Sequence, residues 1–229
     1  MKLCVIPARG GSKRIPKKNI KNFCGKPIIA WSIQTAKESK CFDKIIVSTD
    51  DDQIANLAQK YGAEVPFMRP KELSDDYTAT VPVISHAIEW QIANDHKPMY
   101  VCCIYPTAPF IKTTDLQRGL RILKKSNSDY AFSATDYPYP IQRSFRISKN
   151  NTLEMFYPEH YNSRSQDLEE AFHDAGQFYW GLTDAWLDDR PIFSEKSSPI
   201  LISRKRVQDI DTPEDWQVAV NMFEAVNKK

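Results

Sequence analysis

The sequence has no Cys-x-x-Cys pair, and none of its four histidines stands at metal-ligand spacing, so nothing in it suggests a zinc finger or a dithiol redox centre. Its five cysteines, Cys4, Cys24, Cys41, Cys102 and Cys103, therefore read as reduced residues, three of them inside apolar runs where cysteine packs as a small apolar side chain. No apolar run approaches the roughly 20 residues a spanning helix needs, and the N-terminus lacks a signal-peptide core. The expectation is a cytoplasmic protein with no membrane partner. A net charge of only +2 leaves no domain-wide basic excess of the kind a general nucleic-acid binder carries, so no nucleic-acid partner is expected. There is no internal repeat and no low-complexity tract.

Acid is missing from one place in particular. Nine Lys or Arg residues pass before the first acidic residue, Glu38, although the whole chain is nearly neutral. Within that stretch, residues 3–19 read LCVIPARGGSKRIPKKN: a short apolar run, a proline, two glycines, then a cluster of cations. Leu3 to Ile6 suit a buried parallel strand, and Pro7 ends it by removing a ladder donor. The backbone amides at Gly10 and Gly11, with Arg9, Lys13, Arg14, Lys17 and Lys18, have the composition of an anion cradle. The pattern is neither G-x-x-x-x-G-K-[ST] nor G-x-G-x-x-G, so the nucleotide loops those motifs define are not indicated. Cation runs are also ordinary solvated surface, and charge alone does not decide between the two readings.

A length of 229 residues suits one α/β domain over 1–229. Periodicity predicts helices over 27–39, 51–62, 81–94, 114–126 and 212–226, the last with Thr212 as N-cap. Strands are predicted at 44–50, 99–106, 130–137, 177–182 and 199–204. The alternation implies a Rossmann-like, mostly parallel sheet with helices on both faces. From residue 138 the rhythm breaks into YPYPIQRSFRISKNNTLEMFYPEH, which reads as a hairpin or arm over 138–165 suited to meeting a second subunit. In an open parallel sheet, ligands bind beyond the carboxyl ends of the strands. The strand-end candidates are the 8–19 loop, Ser48-Thr49-Asp50, Tyr105-Pro106-Thr107 and the segment Gln208-Asp209-Ile210-Asp211. If that last segment is extended, Asp209 and Asp211 face one way and can share a divalent cation. A D-x-D preceding a helix start is also a common accident.

The ordered set IPARGGSKRIPKKN, GKPIIAWSI at 25–33, VSTDD at 47–51, RPKELSDD at 69–76 and DIDTPED at 209–215 resembles the CMP-sugar-acid synthetases, the cytidylyltransferases that activate sialic acids. HAIEW at 86–90, CCIYPTAPF at 102–110 and RSQDLEEAFHDAGQFYWG at 164–181 resemble the pseudaminic acid branch more than the sialate branch. Where sialate enzymes carry Q-P-T-S-P, this chain has Tyr105 in Y-P-T-A-P, and Ala175-Gly176 replaces their Asn-Gly.

The resemblance implies a fold of the nucleotide-diphospho-sugar transferase type and a reaction of CTP with a nine-carbon sugar acid. It also implies Mg²⁺ as cofactor, while the arm over 138–165 implies a homodimer. It implies that Arg9, Lys13 and Lys18 serve the triphosphate, with Ala8, Gly10, Gly11, Ser12 and Asn19 beside it. Arg69, Thr78 and Thr80 resemble the group reading cytosine and ribose, and Asp209 and Asp211 the metal ligands. Tyr105, Arg164, Gln166, His173 and Gln177 fall on the sugar side, with Arg164 suited to the substrate carboxylate. The alternatives are a sialic, legionaminic or Kdo-type synthetase, a glycosyltransferase whose D-x-D binds the metal, or a non-enzymatic basic nucleotide- or RNA-binding module.

Overall fold

The computed structural model describes residues 1–227. Its elements follow the hydrophobic pattern closely: β1 (Lys2–Pro7), a short hairpin of β2 (Asn22–Phe23) and β3 (Lys26–Pro27), α1 (Ile28–Ser39), β4 (Lys44–Ser48), α2 (Asp52–Lys60), α3 (Thr80–Ala93), β5 (Tyr100–Ile104) and α4 (Thr113–Lys125). β6 (Tyr130–Asp136), a second hairpin of β7 (Phe145–Ile147) and β8 (Leu153–Met155), β9 (Phe172–Leu182), α5 (Thr183–Leu187), β10 (Ser197–Leu201) and α6 (Pro213–Asn227) complete the chain.

Six strands form one sheet in the order β10-β6-β9-β5-β1-β4. β1 pairs in parallel with both β4 and β5, and β10 in parallel with β6. β9 runs antiparallel between β5 and β6, joining the two parallel parts. Alternation along β1 sorts the core into two faces. Cys4 and Ile6 pack with Ile29 and Ile33 of α1, Ala58 of α2 and Leu116 of α4. Leu3 and Val5 pack on the opposite side with Ile84 and Ile88 of α3 and Trp186 of α5. The result is the expected three-layer arrangement, a mostly parallel sheet between helices.

Local chemistry sets the element ends. The Asp51 carboxylate accepts from the amides of Gln53 (2.8 Å) and Ile54 (3.0 Å), capping α2. Gly62 follows that helix at φ 89°, a conformation other residues adopt only under strain. α6 starts at Pro213 behind Thr212, whose hydroxyl accepts from the Asp215 amide at 3.2 Å while the Asp215 carboxylate accepts from the Thr212 amide at 2.8 Å. This reciprocal box is the predicted cap, with Asp in the returning role.

Two expectations are corrected. The strand predicted at 177–182 begins at Phe172 and includes His173 and Asp174, and the helix α5 lies where no element was predicted. The β6–β9 ladder breaks where Phe132 pairs with Tyr179 and Ala134 with Asp174, so β9 bulges over the intervening residues, with Gly176 at φ 58°.

A third cluster positions the functional side chains. Ile15, Phe23, Ile28, Phe110, Ile210, Trp216, Ala219 and Phe223 pack together. Their burial ties the basic loop after β1 to the segment before α6. Among the described residues no helix is long and apolar enough to cross a membrane.

Candidate active site

A cleft of about 510 Å³ opens at the carboxyl ends of β1 and β5. It is lined on one side by Arg9, Ser12, Lys13, Arg14, Lys18 and Asn19, on another by Tyr105, Pro106 and Thr107, and by three acids, Asp76, Asp209 and Asp211. The loop owes its shape to buried anchors. The Ala8 amide donates to the Ser48 carbonyl at 2.9 Å, Ile15 is fully enclosed, and the buried Asn19 amide group donates to the Arg9 carbonyl at 2.9 Å. Lys17 turns away at φ 53° and donates to Gln53 Oε1 at 3.0 Å.

Gly10 lies so close to α2 that a Cβ there would stand 2.7 Å from Asp51 Oδ2. Its amide donates to Asp50 Oδ1 at 2.9 Å, so the donor expected to meet an anion meets a carboxylate of this chain. At Gly11 a Cβ would meet only Arg9 Nη1, at 3.6 Å.

Every cation facing the cleft meets an acid. Arg9 Nη1 lies 2.5 Å from Asp76 Oδ1, and Lys13 pairs with the same carboxylate. Arg14 Nη2 lies 2.6 Å from Asp211 Oδ2. Lys18 Nζ, largely shielded, donates to the Ile210 carbonyl at 2.6 Å and to Asp211 Oδ1 at 3.2 Å. Lys13, then Arg9, hold the Asp76 carboxyl below the ordinary range.

Ile210, 1% exposed, is the pin between Asp209 and Asp211. Burying its side chain contributes about 1.5–3 kcal/mol, and with it inward both neighbouring carboxylates line the cleft, as alternation predicted. Burial, and secondly the charge of Asp211, push the Asp209 carboxyl up. Two repelling carboxylates in one cleft suit a hard cation. Among the described residues no three His, Cys, Asp or Glu side chains gather as a ready-made metal cluster, so the remaining ligands would have to come from phosphate oxygens and water.

A match to the cytidylyltransferase family runs over residues 3–210. The chain belongs to that family. A pseudaminic acid cytidylyltransferase of Campylobacter jejuni is 47% identical over 96% of this chain and 95% of its own. A CMP-N,N'-diacetyllegionaminic acid synthase of Legionella pneumophila is 32% identical over 97% of this chain and 96% of its own. A solved CMP:2-keto-3-deoxy-manno-octonic acid synthetase complexed with CTP has the same fold, with a TM-score of 0.71 at 15% identity over 98% of this chain and 99% of that one.

The other residues singled out in this cytidylyltransferase are dispersed. Arg69 is 6% exposed, absent from the cleft lining, and braces backbone: Nη2 donates to the Ser48 carbonyl at 2.5 Å and Nη1 to the Leu73 carbonyl at 3.3 Å, while Nε has no partner. Burial pushes its guanidinium down to about 10, against the opposing pull of Asp50. The Thr78 hydroxyl donates to Asp75 Oδ1 at 2.6 Å. The Thr80 hydroxyl lies 2.9 Å from the Tyr105 hydroxyl, whose pKa burial pushes up to about 12.

Gln177 is buried beside Tyr105, its Nε2 donating to the Arg206 carbonyl at 2.5 Å and its Oε1 unpartnered. His173 lines a neighbouring hollow with Arg204 and Lys205, and its Nδ1 lies 2.8 Å from the Asp174 carbonyl. Arg164, paired with Asp167 at 2.7 Å, lies in a separate hollow lined by residues 142–169, and Gln166 sits exposed on the short 3-10 helix Ser165–Asp167. The cleft lining therefore gathers Arg9, Ser12, Lys13, Lys18, Asn19, Tyr105 and both aspartates; Ala8, Gly10, Gly11, Arg69, Thr78, Thr80 and Gln177 are not part of it, and Arg164, Gln166 and His173 lie in other hollows or on the surface. Sequence reasoning missed Asp76 and Asp50 as partners of the loop. Both lie within quoted motifs, but nothing in spacing says that an acid 67 residues away will meet Arg9.

Proposed function

We propose that this chain is a pseudaminic acid cytidylyltransferase, joining CTP and pseudaminic acid to give CMP-pseudaminic acid and diphosphate. The observation carrying the reading is the convergence of Arg9, Lys13, Arg14 and Lys18 with Asp209 and Asp211 on one cleft at the strand ends. Four cations there suit a triphosphate, and the acid pair suits the cation that accompanies it. The 47% identical relative's name supports the choice of sugar, since the legionaminic acid synthase is more distant.

The anomeric hydroxyl oxygen forms a bond to the α-phosphorus, the bond from that phosphorus to the bridging oxygen of the β-phosphate breaks, and the hydroxyl proton is released. Arg9, Lys13 and Lys18 neutralise the charge gathering on the departing diphosphate, with Ala8, Gly11, Ser12 and Asn19 shaping the loop around it. Arg69 acts from behind, holding the base of the 73–80 segment so that Thr78 and Thr80 face the nucleoside. Asp209 and Asp211 would hold Mg²⁺, which when bound supplies positive charge against the phosphates. Tyr105 and Gln177 border the sugar. Arg164 and Gln166 reach a sugar only if the arm meets another subunit, which fits a homodimer, whereas His173 is fixed in β9 outside the cleft.

A diphosphate-release assay with CTP and Mg²⁺ against pseudaminic, legionaminic, sialic and Kdo acids tests the assignment. The highest kcat/KM is expected with pseudaminic acid. Preference for another acid overturns the sugar, and no release with any of them overturns the reaction.

A further inference from the structure

Asp76 stands where a phosphate is expected. It belongs to a loop with its own scaffold: Asp75 Oδ1 accepts from the amides of Tyr77 (2.9 Å) and Thr78 (2.7 Å) and from the Thr78 hydroxyl (2.6 Å). Arg69 grips the Leu73 carbonyl at the base. The turn made by Asp75 sends the next carboxylate across the cleft, onto Arg9 at 2.5 Å and onto Lys13. The pair stays within a ligand's reach, since the side chain of Asp76 is 31% exposed and those of Arg9 and Lys13 are 36% and 80% exposed.

We propose that Asp76 is an internal anion that competes with phosphates for Arg9 and Lys13, so that it loosens the hold of the cleft on every phosphate group taking those cations, the departing diphosphate included. The inference rests on the triphosphate reading of the cleft. A phosphate group that takes these cations exchanges one anion for another, so its net gain is smaller than the cations alone would give. A triphosphate also reaches Arg14 and Lys18, so its exchange is favourable. After transfer, diphosphate is held by fewer groups, and the carboxylate returning to Arg9 and Lys13 helps to expel it. Asp76 makes no bond to the reacting atoms in this scheme; it acts through the cations it occupies.

Calorimetric binding of CTP, CMP and inorganic diphosphate to the wild type, Asp76→Asn, Asp76→Ala and Lys13→Ala tests this. Partly exposed ion pairs are weak, so both Asp76 variants should bind CTP about threefold to tenfold more tightly. Diphosphate, which takes the same cations, should gain by a similar factor and become a stronger product inhibitor. Weaker or unchanged CTP binding in both Asp76 variants, with Lys13→Ala weakening it, overturns the competitor role and leaves the triphosphate cleft standing. Unchanged CTP binding in Lys13→Ala removes Lys13 from the phosphate site and overturns the competition at that cation. A gain for CTP with none for diphosphate overturns the role in product release.

Discussion

Lys18 has the most demanding position among the cleft cations. Its side chain is only 19% exposed, and its ammonium group meets both the Ile210 carbonyl and Asp211, so it links the basic loop to the acidic segment. Arg14 and Lys13 have no such shielding, at 65% and 80% exposure. A shielded charge is screened less by salt and water, so its contact with a phosphate should be worth more. Lys18→Ala should lose about 1.5–3 kcal/mol of charge-assisted contact, a fall of roughly 10- to 150-fold in kcat/KM for CTP. Steady-state kinetics with varied CTP check this, and a thermal melt close to wild type separates it from misfolding. A fall of less than threefold would assign the phosphate contact to the more exposed cations. Spacing alone brings Lys18 into the loop, but only the fold shows which lysine is shielded: Lys17 and Lys18 are adjacent in sequence, and the left-handed turn at Lys17 sends their ammonium groups to different partners.

Elements with a strong period and a recognisable cap were legible before the fold was known. α1, α2, α3 and α4 show their apolar stripes, and Asp51 and Thr212 announce the starts of α2 and α6. β9 was not legible over its full length. After Phe172 its first residues, HDAG, are polar or small, its bulge at Gly176 breaks the alternation, and it runs antiparallel in a chain whose strand-helix order suggests parallel neighbours. α5, with five residues, is too short to show a period. The same distinction holds at the site. The loop cations and the D-x-D lie in contiguous motifs, whereas Asp76 reaches Arg9 only through tertiary folding. The α6 cap carries its own test. Hydrogen bonds from the Thr212 hydroxyl and amide hold the Asp215 carboxyl below the ordinary carboxylate range. A carboxyl lowered in the folded state stabilises fully above its unfolded pKa, near 4, and loses that contribution as pH falls through the lower folded value. Melting temperature should therefore drop between about pH 5 and pH 3, and Asp215→Asn should make that drop shallower while lowering stability at pH 7. Thr212→Ala should cost about 1 kcal/mol at pH 7. An identical pH profile in Asp215→Asn would remove this carboxyl from the acid response.

At the scale of the whole molecule, the three core clusters account for the sheet, its helices and the cleft, but they do not cover the hairpin of β7 and β8. Register pairs Phe145 with Met155 and Ile147 with Leu153, so these four side chains share one face, while Arg146 and Glu154 pair on the other at 2.6 Å. Phe145, Ile147 and Leu153 are 50%, 68% and 59% exposed, and Phe156 beside them is 56% exposed. An isolated two-stranded ribbon is marginal in water, and a contiguous exposed apolar face on one marks an interaction surface. A second copy of the chain fits best, because an arm docked across a two-fold axis covers both apolar faces with the same contacts. It would also carry Arg164 and Gln166, which sit on the segment following the hairpin, away from their own cleft. Light scattering should therefore report a dimer. Ile147→Lys combined with Leu153→Lys should shift it to monomer while leaving the far-UV circular dichroism of the sheet and helices intact. If the arm also completes the sugar site, the monomer should keep its affinity for CTP and lose most of its kcat/KM for the sugar acid. A dimer that survives both substitutions would place the subunit contact elsewhere, and a monomer with undiminished sugar kinetics would confine the whole site to one chain.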